Sequence, residues 1–470
     1  MKIFCGFMSA SLLAVLLAVP ARGEDDSACL ELLYATSVNM PEEEYGPEMV
    51  FDGDTATCWA TMPGAGPDEG LFFSFEEPLD IRSIMVDLVP AGEGFEGIDS
   101  YQLYVNGIEG GVRSGSGSHI WINRPVKSVF IRIRSTDSMD WDSMGIRYTG
   151  ELLVGIREVT VSVEDKDGND IPLSVVPIRS VSGSIGASSS LEPEEAYSPD
   201  FLFDSRPAFG WADGHEDLTG EGEHLTFVLD EPRRIEKIRI WNGYHRSATH
   251  FQQNERVAEL SFGIYGEDPG VYRLEDVMEP QEIELDYPLE GQRFWLDVLE
   301  IYPGDVYRDL VLSEMRFFDG DEWFVVDTGE GRERKLGILE WARSATAGSV
   351  IDRQLYSRRF DDEDGLDFHA QTLVLRSGGS FVIWMIDEWE DGEEHMYADG
   401  NWQVIDDERV RIFGRLQRVG RYEMEPYDPY AGSWPDQGQD TQRLTVFSDT
   451  LRIDGSTVSS RRGLFEDFTY

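Results

Sequence analysis

The sequence predicts an all-β protein: two tandem β-sandwiches of one kind, followed by a smaller antiparallel β-barrel or sandwich. Three observations carry that expectation. The stretch Ala35–Ala60 (ATSVNMPEEEYGPEMVFDGDTATCWA) returns at Ala187 as ASSSLEPEEAYSPDFLFDSRPAFGWA, offset by 152 residues and identical at 12 of 26 positions. A period of that length is too long for a solenoid and marks two whole domains. After each copy come short β-branched and aromatic runs, mostly alternating with polar residues and punctuated by Gly, Pro and Asp, which is the pattern of antiparallel sandwich strands. No helical period of useful length appears before residue 330.

Taken in order, Met1-Lys2, the apolar run Ile3–Val19 and Pro20-Ala21-Arg22-Gly23 read as a secretory signal peptide over 1–23. No later apolar run is long enough to span a bilayer, so the mature protein is expected to be secreted or periplasmic. The first sandwich is placed at 24–177, with strands at Leu71–Phe75, Ile81–Val89, Tyr101–Val105, His119–Ile122 and Val126–Arg134. Glu158–Glu164 then turns through Asp167-Gly168 into Ile171–Val176, a hairpin signal. The small, polar run Ser180–Ser190 reads as a junction. The second sandwich, 178–329, repeats the strand order with His224–Leu229, Ile235–Trp241, Val257–Tyr265, Gln281–Leu285, Gln292–Glu300 and Leu310–Phe318.

The texture changes in 330–470. Arg332–Ala347 predicts a short helix, and strands follow at Thr372–Arg376, Ser380–Asp387, Gly400–Ile405, Arg409–Leu416, Arg443–Ser448 and Thr450–Ile453. Tight turns at Ser377-Gly378-Gly379 and Asp406-Asp407-Glu408 make this an up-and-down meander, a barrel or sandwich of lipocalin type. Tyr422–Gln439 is an aromatic, Pro-rich loop between its strands.

With 90 acidic against 40 basic residues the chain carries a formal charge of −50. Such a chain is repelled by nucleic acid and by anionic membrane surfaces. The acidity reads as solubility in an exposed or salty compartment, with calcium loading as the sharper reading for part of it. Asp52-Gly53-Asp54-Thr55 sets short-spaced oxygens on a Gly-containing turn, which suits a hard cation. The alternative is an Asx turn without metal. After removal of the signal, Cys29 and Cys58 remain. In an oxidising compartment they are expected to pair, closing a loop that contributes about 3–4 kcal/mol. Lipidation of Cys29 is the less favoured alternative.

Trp59 and Trp211 hold the same place in the repeat and are expected in the cores rather than as sugar platforms. Asn242, Tyr244, His245 and Arg246 follow an apolar strand and mix amide, ring and charge on one loop, a set suited to hydroxyl-rich ligands. Asn254, Arg256 and Tyr302 lie in loops that would share that rim. The alternative is that Asn242-Gly243 and Pro303-Gly304 only form turns, with the amides capping backbone groups. Signals for catalysis are sparse: none of the seven histidines lies in HExxH, and GxSxG does not occur. Gly92–Gly97 spells GxGxxG, but it carries two glutamates and leads into a strand, so a phosphate is rejected there. Asp361–Asp364 reads as a solvated loop, and the aromatics of Trp384–Trp389 and Tyr427–Trp434 as barrel filling, with a pocket in the third unit as the alternative.

The repeated strip, with Ala35-Thr36-Ser37 and Phe51-Asp52-Gly53-Asp54-Thr55-Ala56-Thr57-Cys58-Trp59, resembles the discoidin family of galactose-binding-like jelly rolls, also found as the type C modules of coagulation factors. The second module is similar to the glycan-binding branch found beside bacterial NAD-cleaving enzymes. The matching runs are Ile240-Trp241-Asn242-Gly243-Tyr244, Asn254-Glu255-Arg256-Val257, Val298–Gly304 and Leu312-Ser313-Glu314-Met315. The first module has Val86-Asp87-Leu88-Val89 where the second has its Asn-Gly-Tyr run. No NAD-cleaving domain is visible, and the third unit matches no family.

The resemblance implies one structural calcium in the first module, held by Asp52, Asp54, Thr57 and Glu158. In the second module Arg206 replaces Asp54, and its guanidinium is expected to fill the cation's place. The resemblance also implies a secreted, non-catalytic binder of carbohydrate or another component of the bacterial envelope. The alternatives are an envelope scaffold or adhesin that binds a partner protein, and a hydrolase with its site in the last domain.

Overall fold

The computed structural model describes residues 27–469 apart from 143–144, 149, 193, 215–218, 361–367, 390–391, 424–443 and 463–466. The signal-peptide segment, the run Asp361–Asp364 and the segment Tyr427–Trp434 lie outside the described residues.

The first sandwich contains β1 (Ala28–Ala35), helix α1 (Glu42–Tyr45), β2 (Trp59–Ala60), β3 (Gly70–Leu88), β4 (Ile98–Val105), β5 (Ile108–Ser114), β6 (His119–Thr136), the hairpin β7 (Met139–Asp142) and β8 (Gly145–Tyr148), β9 (Gly155–Glu164), β10 (Asp170–Pro172) and β11 (Val175–Val176). The sheet runs β10-β9-β3-β6-β4-β5, with β1 on β3 and β2 on β9. Runs expected as separate strands are halves of long ones. In β3 the ladder to β6 breaks between Ser74 and Leu79, a stretch holding Pro78, which has no N–H to donate. The first half of β3 pairs with β1 and the second with β9, so one strand serves both faces of the sandwich. The expected hairpin forms between β9 and β10, after which β11 leaves to pair in parallel with β1.

The second sandwich repeats this plan with β12 (Arg179–Ala187), α2 (Glu194–Tyr197), β13 (Trp211–Ala212), β14 (His224–Asn242), α3 (Ala248–Gln253), β15 (Arg256–Ile264), β16 (Gly270–Arg273), β17 (Gln281–Tyr302), β18 (Val311–Phe318) and β19 (Trp323–Asp327). The β14–β17 ladder breaks between Val228 and Arg233, where Pro232 sits. The expected junction Ser180–Ser190 is for the most part strand β12. Val181 and Ile185 point into the core, and the small residues are required by packing: a Cβ on Gly183 would lie 2.6 Å from the Val228 carbonyl oxygen. Composition alone made this strand look like a linker.

Helix α4 (Glu330–Ser344) leads into an eight-stranded closed barrel of β20 (Gln354–Phe360), β21 (Phe368–Leu375), β22 (Ser380–Trp389), β23 (Gly392–Asp406), β24 (Arg409–Glu423), β25 (Leu444–Asp454), β26 (Thr457–Ser460) and β27 (Phe468–Thr469), each strand beside its sequence neighbour. The two runs expected at Arg443–Ser448 and Thr450–Ile453 are one strand. Asp449 does not break it, because its carboxylate accepts from the Thr450 and Arg462 N–H groups and the Ser460 hydroxyl.

Buried ion pairs join the units. The Glu31 carboxylate of β1 takes Arg239 Nη1 of the second sandwich at 3.1 Å and Lys127 Nζ at 2.8 Å. The Glu31 backbone oxygen accepts from Arg316 Nε at 3.4 Å. From α4, Arg334 makes two 2.8 Å bonds to Asp200 and Lys335 reaches Glu42 at 3.0 Å. From the barrel, Arg376 reaches Glu69 of the first sandwich at 3.0 Å. Removing one partner of a buried pair strands the other charge, which typically costs about 3–5 kcal/mol. Glu31→Ala is therefore expected to lower stability by about that amount, read as a fall in the urea midpoint, whereas the exposed Arg452→Ala changes it by less than about 1 kcal/mol.

Candidate functional site

The two copies of the repeated strip build the same local scaffold. Trp59 and Trp211 are fully buried, and each indole N–H donates to a serine carbonyl, Ser37 or Ser189, at 2.8 Å. The same serines accept on their hydroxyls from Met62 and Gly214 N–H at 3.0 and 2.9 Å. Thr36 and Ser188 donate to Glu69 and Glu223 in the same way. Both tryptophans are thus core, as expected.

The aspartate loops share an Asx turn, with Asp52 accepting from Asp54 N–H and Asp204 from Arg206 N–H, both at 2.8 Å. They then diverge. Ladder pairs Trp59–Ile156 and Trp211–Leu312 make Glu158 and Glu314 equivalent. In the second module Arg316, fully buried, pairs with Glu314 and donates to Ser205 at 2.9 Å. A built-in guanidinium therefore does neutralise this carboxylate, but it is that of Arg316 rather than Arg206. The Arg206 guanidinium instead lies 4.4 Å over Phe209 and 5.6 Å over Tyr34.

In the first module Thr160 stands where Arg316 would be, and among the described residues Glu158 has no ion-pair partner, the neighbouring Arg157 being paired with Asp87 at 3.4 Å. Thr57 donates to Asp52 at 2.7 Å and Asp54 accepts from Ala56 N–H at 2.9 Å. Glu158 Oε2 is buried without a hydrogen-bond partner. Burial first, then the Asp52 and Asp87 carboxylates, push the Glu158 carboxyl up to about 7. The donor set thus has the oxygen chemistry and the excess negative charge that suit calcium. Among the described residues, however, no three His, Cys, Asp or Glu side chains are drawn together as a metal cluster.

Cys29 and Cys58 are not joined, which corrects the expected disulfide. Cys29 precedes the Leu30–Phe75 pair on β3, while Cys58 precedes Trp59, which lies on β9 opposite Ile156, the partner of Leu88. The two thiols are thus anchored beside opposite halves of β3, whereas a disulfide needs Cα atoms within about 7 Å.

The expected rim of the second module is largely internal scaffold. Asn242 is fully buried and clasps Val257, donating to its carbonyl at 2.8 Å and accepting its N–H at 2.9 Å. Asn254 caps α3 through the His250 carbonyl at 2.8 Å. Arg256 is buried, bonds Asp276 through Nε at 2.6 Å and Nη2 at 3.0 Å, and bonds the Phe251 and Asn254 carbonyls through Nη1. Tyr302 donates to the Leu274 carbonyl at 2.9 Å. His245 bonds the Asn242 carbonyl at 3.0 Å, and burial lowers its pKa to about 4. Tyr244 is buried edge-on against His250, and half-buried Arg246 lies 5.3 Å over the Tyr244 ring. These residues are brought together, with Asn242, Asn254 and Arg256 buried and bonded within their own loops and with His245, Arg246 and Tyr302 half-buried at the edge. The amide and ring composition is the same for a ligand rim as for an internal support.

The residue that the sequence reading missed is Trp121 on β6, 57% exposed, the most exposed tryptophan among the described residues. The His119 ring stacks beside it at 6.0 Å and 22°, and the Arg82 guanidinium lies 5.9 Å from its ring centre. Both neighbours are fixed: His119 Nδ1 lies 3.2 Å from the Ser83 hydroxyl, and Arg82 is clamped by Glu164 and Asp170. A lone aromatic in an alternating strand gives no sequence signal of exposure.

Fold and strip together show two tandem β-sandwiches built on one plan. Residues 179–318 match the model of the NAD glycohydrolase translocation F5/8 type C domain. No curated protein sequence matches. Similar solved structures include the arabinofuranosyltransferase AftD from mycobacteria, with TM-score 0.25 and 10% identity over 82% of this chain and 38% of that one. The family 32 carbohydrate-binding module of Clostridium perfringens NanJ, solved with galactose, has TM-score 0.24 and 12% identity over 29% of this chain and 92% of that one. The F-type lectin of Morone saxatilis serum has TM-score 0.22 and 13% identity over 63% and 96%.

The Glu158 environment gives a pH test. The folded state holds this proton up to about pH 7, whereas an unfolded glutamate releases it near its ordinary value. Folded protein thus binds more protons in that window, so this group's contribution to stability falls as pH rises through it. Glu158→Gln is expected to raise the thermal midpoint relative to the parent at pH above that window and to leave it nearly unchanged below it.

Proposed function

We propose that this chain is a secreted, non-catalytic carbohydrate-binding protein of the bacterial envelope, and that sugar docks on the outward face of the first module at Trp121. The observation that carries the reading is the exposed Trp121 ring, held by His119 and Arg82 on a discoidin-like sandwich. Sugar faces rich in C–H groups stack on aromatic rings, and a few fixed polar groups at the edge supply orientation. The F5/8 type C match of the second module supports the binding class. The structural calcium of the first module, at Asp52, Asp54, Thr57 and Glu158, belongs to the same proposal. When bound it would neutralise carboxylates that otherwise repel. It is tested by the thermal midpoint in calcium against chelator, where a rise in the parent that Glu158→Gln abolishes supports it and no rise sinks it.

A second reading is a scaffold that binds a protein. Strand β5 ends the first module's sheet, is exposed along its length, and presents Ile108 at 59% and Val112 at 54% exposure, a surface on which a partner strand can add. A glycan array decides between them. The first reading expects sugar hits that Trp121→Ala weakens by about tenfold or more while Ile108→Ser leaves them intact. A blank array, or hits indifferent to Trp121, removes the proposed site.

A further inference from the structure

The barrel carries a positive groove that the carbohydrate reading leaves unused. A cavity of about 520 Å³ on its outer wall is lined by Arg411, Ser448, Asp449, Thr450, Arg461 and Arg462. The register explains why these side chains meet. Arg411 lies opposite Thr450 and Phe413 opposite Ser448 on adjacent strands β24 and β25. Ile412 and Leu451 are fully buried, so alternation turns Arg411, Ser448 and Thr450 to the outside. Arg461 and Arg462 follow the end of β26, and Arg461 is tied there by its N–H to the Thr450 carbonyl at 3.0 Å.

The neighbouring carboxylates are already engaged. Asp449 is buried and takes the Thr450 and Arg462 N–H groups and the Ser460 hydroxyl. Asp406 is paired with Arg409, and Glu408 with Arg452. Among the described residues, none of the three groove guanidiniums has an ion-pair partner. Among the described residues the groove sets three guanidiniums against the single Asp449 carboxylate, an unusual local excess of positive charge in a chain with 90 acidic residues and 40 basic ones. Scarce cations are normally neutralised by the surrounding excess of carboxylates.

We propose that this groove binds a small ligand carrying a tetrahedral oxyanion ester, a phosphate monoester or a sulfate ester. Each guanidinium offers a planar fork of N–H donors that fits two oxygens of such a group. Three forks suit a group with three terminal oxygens better than a carboxylate with two. The hydroxyls of Ser448 and Thr450 add neutral donors, and the cavity has room for a sugar-sized body behind the anion. This inference does not rest on the Trp121 site.

The test is calorimetric titration of the full mature chain with glucose 6-phosphate, glucose 6-sulfate and glucose. Binding of either ester but not of glucose is expected, and the tighter ester assigns the source of the anion. The triple variant R411Q/R461Q/R462Q should weaken that binding by about tenfold or more, while R452Q outside the groove leaves it unchanged. R462K, which keeps the charge and loses the fork, should fall between parent and R462Q. Circular dichroism of the variants checks that the barrel is intact, as the substituted side chains are exposed. Equal affinity for glucose and its esters, no binding of any probe, or full affinity in the triple variant would each overturn the proposal.

Discussion

The arrangement of the three units depends on where a strongly acidic chain places its few cations. Glu31 is the clearest case. Its carboxylate is nearly excluded from water, and it holds Lys127 of its own module and Arg239 of the next. Burying such charges is costly unless each is paired and hydrogen-bonded, so the favourable geometry is narrow. The same device recurs at each seam: Arg334 on Asp200, Lys335 on Glu42 and Arg376 on Glu69. A seam filled with apolar residues tolerates sliding. A seam built on paired charges specifies one relative position, because any displacement strands a charge. The cations committed to seams are also lost from the surface, which leaves the exterior more uniformly acidic.

Duplication and divergence can be read in one pair of residues. Glu158 and Glu314 occupy the same place behind the same Asx turn. In the second module the neighbouring Arg316 neutralises Glu314 within the core, and burial then raises the carboxyl against that opposing charge. In the first module Thr160 offers no charge, and Glu158 faces Asp52 and Asp87. One copy carries its cation covalently. The other is left with repulsion that a proton relieves, and a divalent ion would relieve it as well. The shared scaffold of Trp59 and Trp211 is untouched by this difference: both indoles keep their 2.8 Å bonds to Ser37 and Ser189.

The fold was legible to the extent that it rests on local periodicity and self-similarity. The repeat, the long strand series, the helix at α4 and the meander of the last unit all left marks in the sequence. Composition misled at β12, where serines and glycines are demanded by close backbone approach rather than by flexibility. The strand halves were read as separate because Pro78 and Pro232 look like terminators, whereas here they mark the bend of a continuing strand. The site was less legible. Asn242, Asn254 and Arg256 have the composition of a ligand rim, but their hydrogen bonds are spent on Val257, His250 and Asp276. Whether an amide faces a ligand or a backbone carbonyl is a matter of one rotation, which residue type does not encode. Exposure of Trp121 was equally hidden, since alternation says that one face is wet without saying which aromatic lies on it.

On the proposed reading, these internal commitments place the ligand-facing role on the first module rather than the second. Loops 242–256 and 302–309 of the second module are braced by their own polar residues, and a braced loop keeps its shape at the cost of free donors. At Trp121 the charged neighbours are tied below and beside the ring, which fixes its orientation without covering it. A platform that is exposed but orientationally locked loses little entropy on binding, which would suit the sugar ring of the proposed function. The groove on the barrel follows a different logic, with three exposed arginines around one carboxylate. On the proposed reading, it is charge rather than a fixed aromatic face that would draw its ligand in.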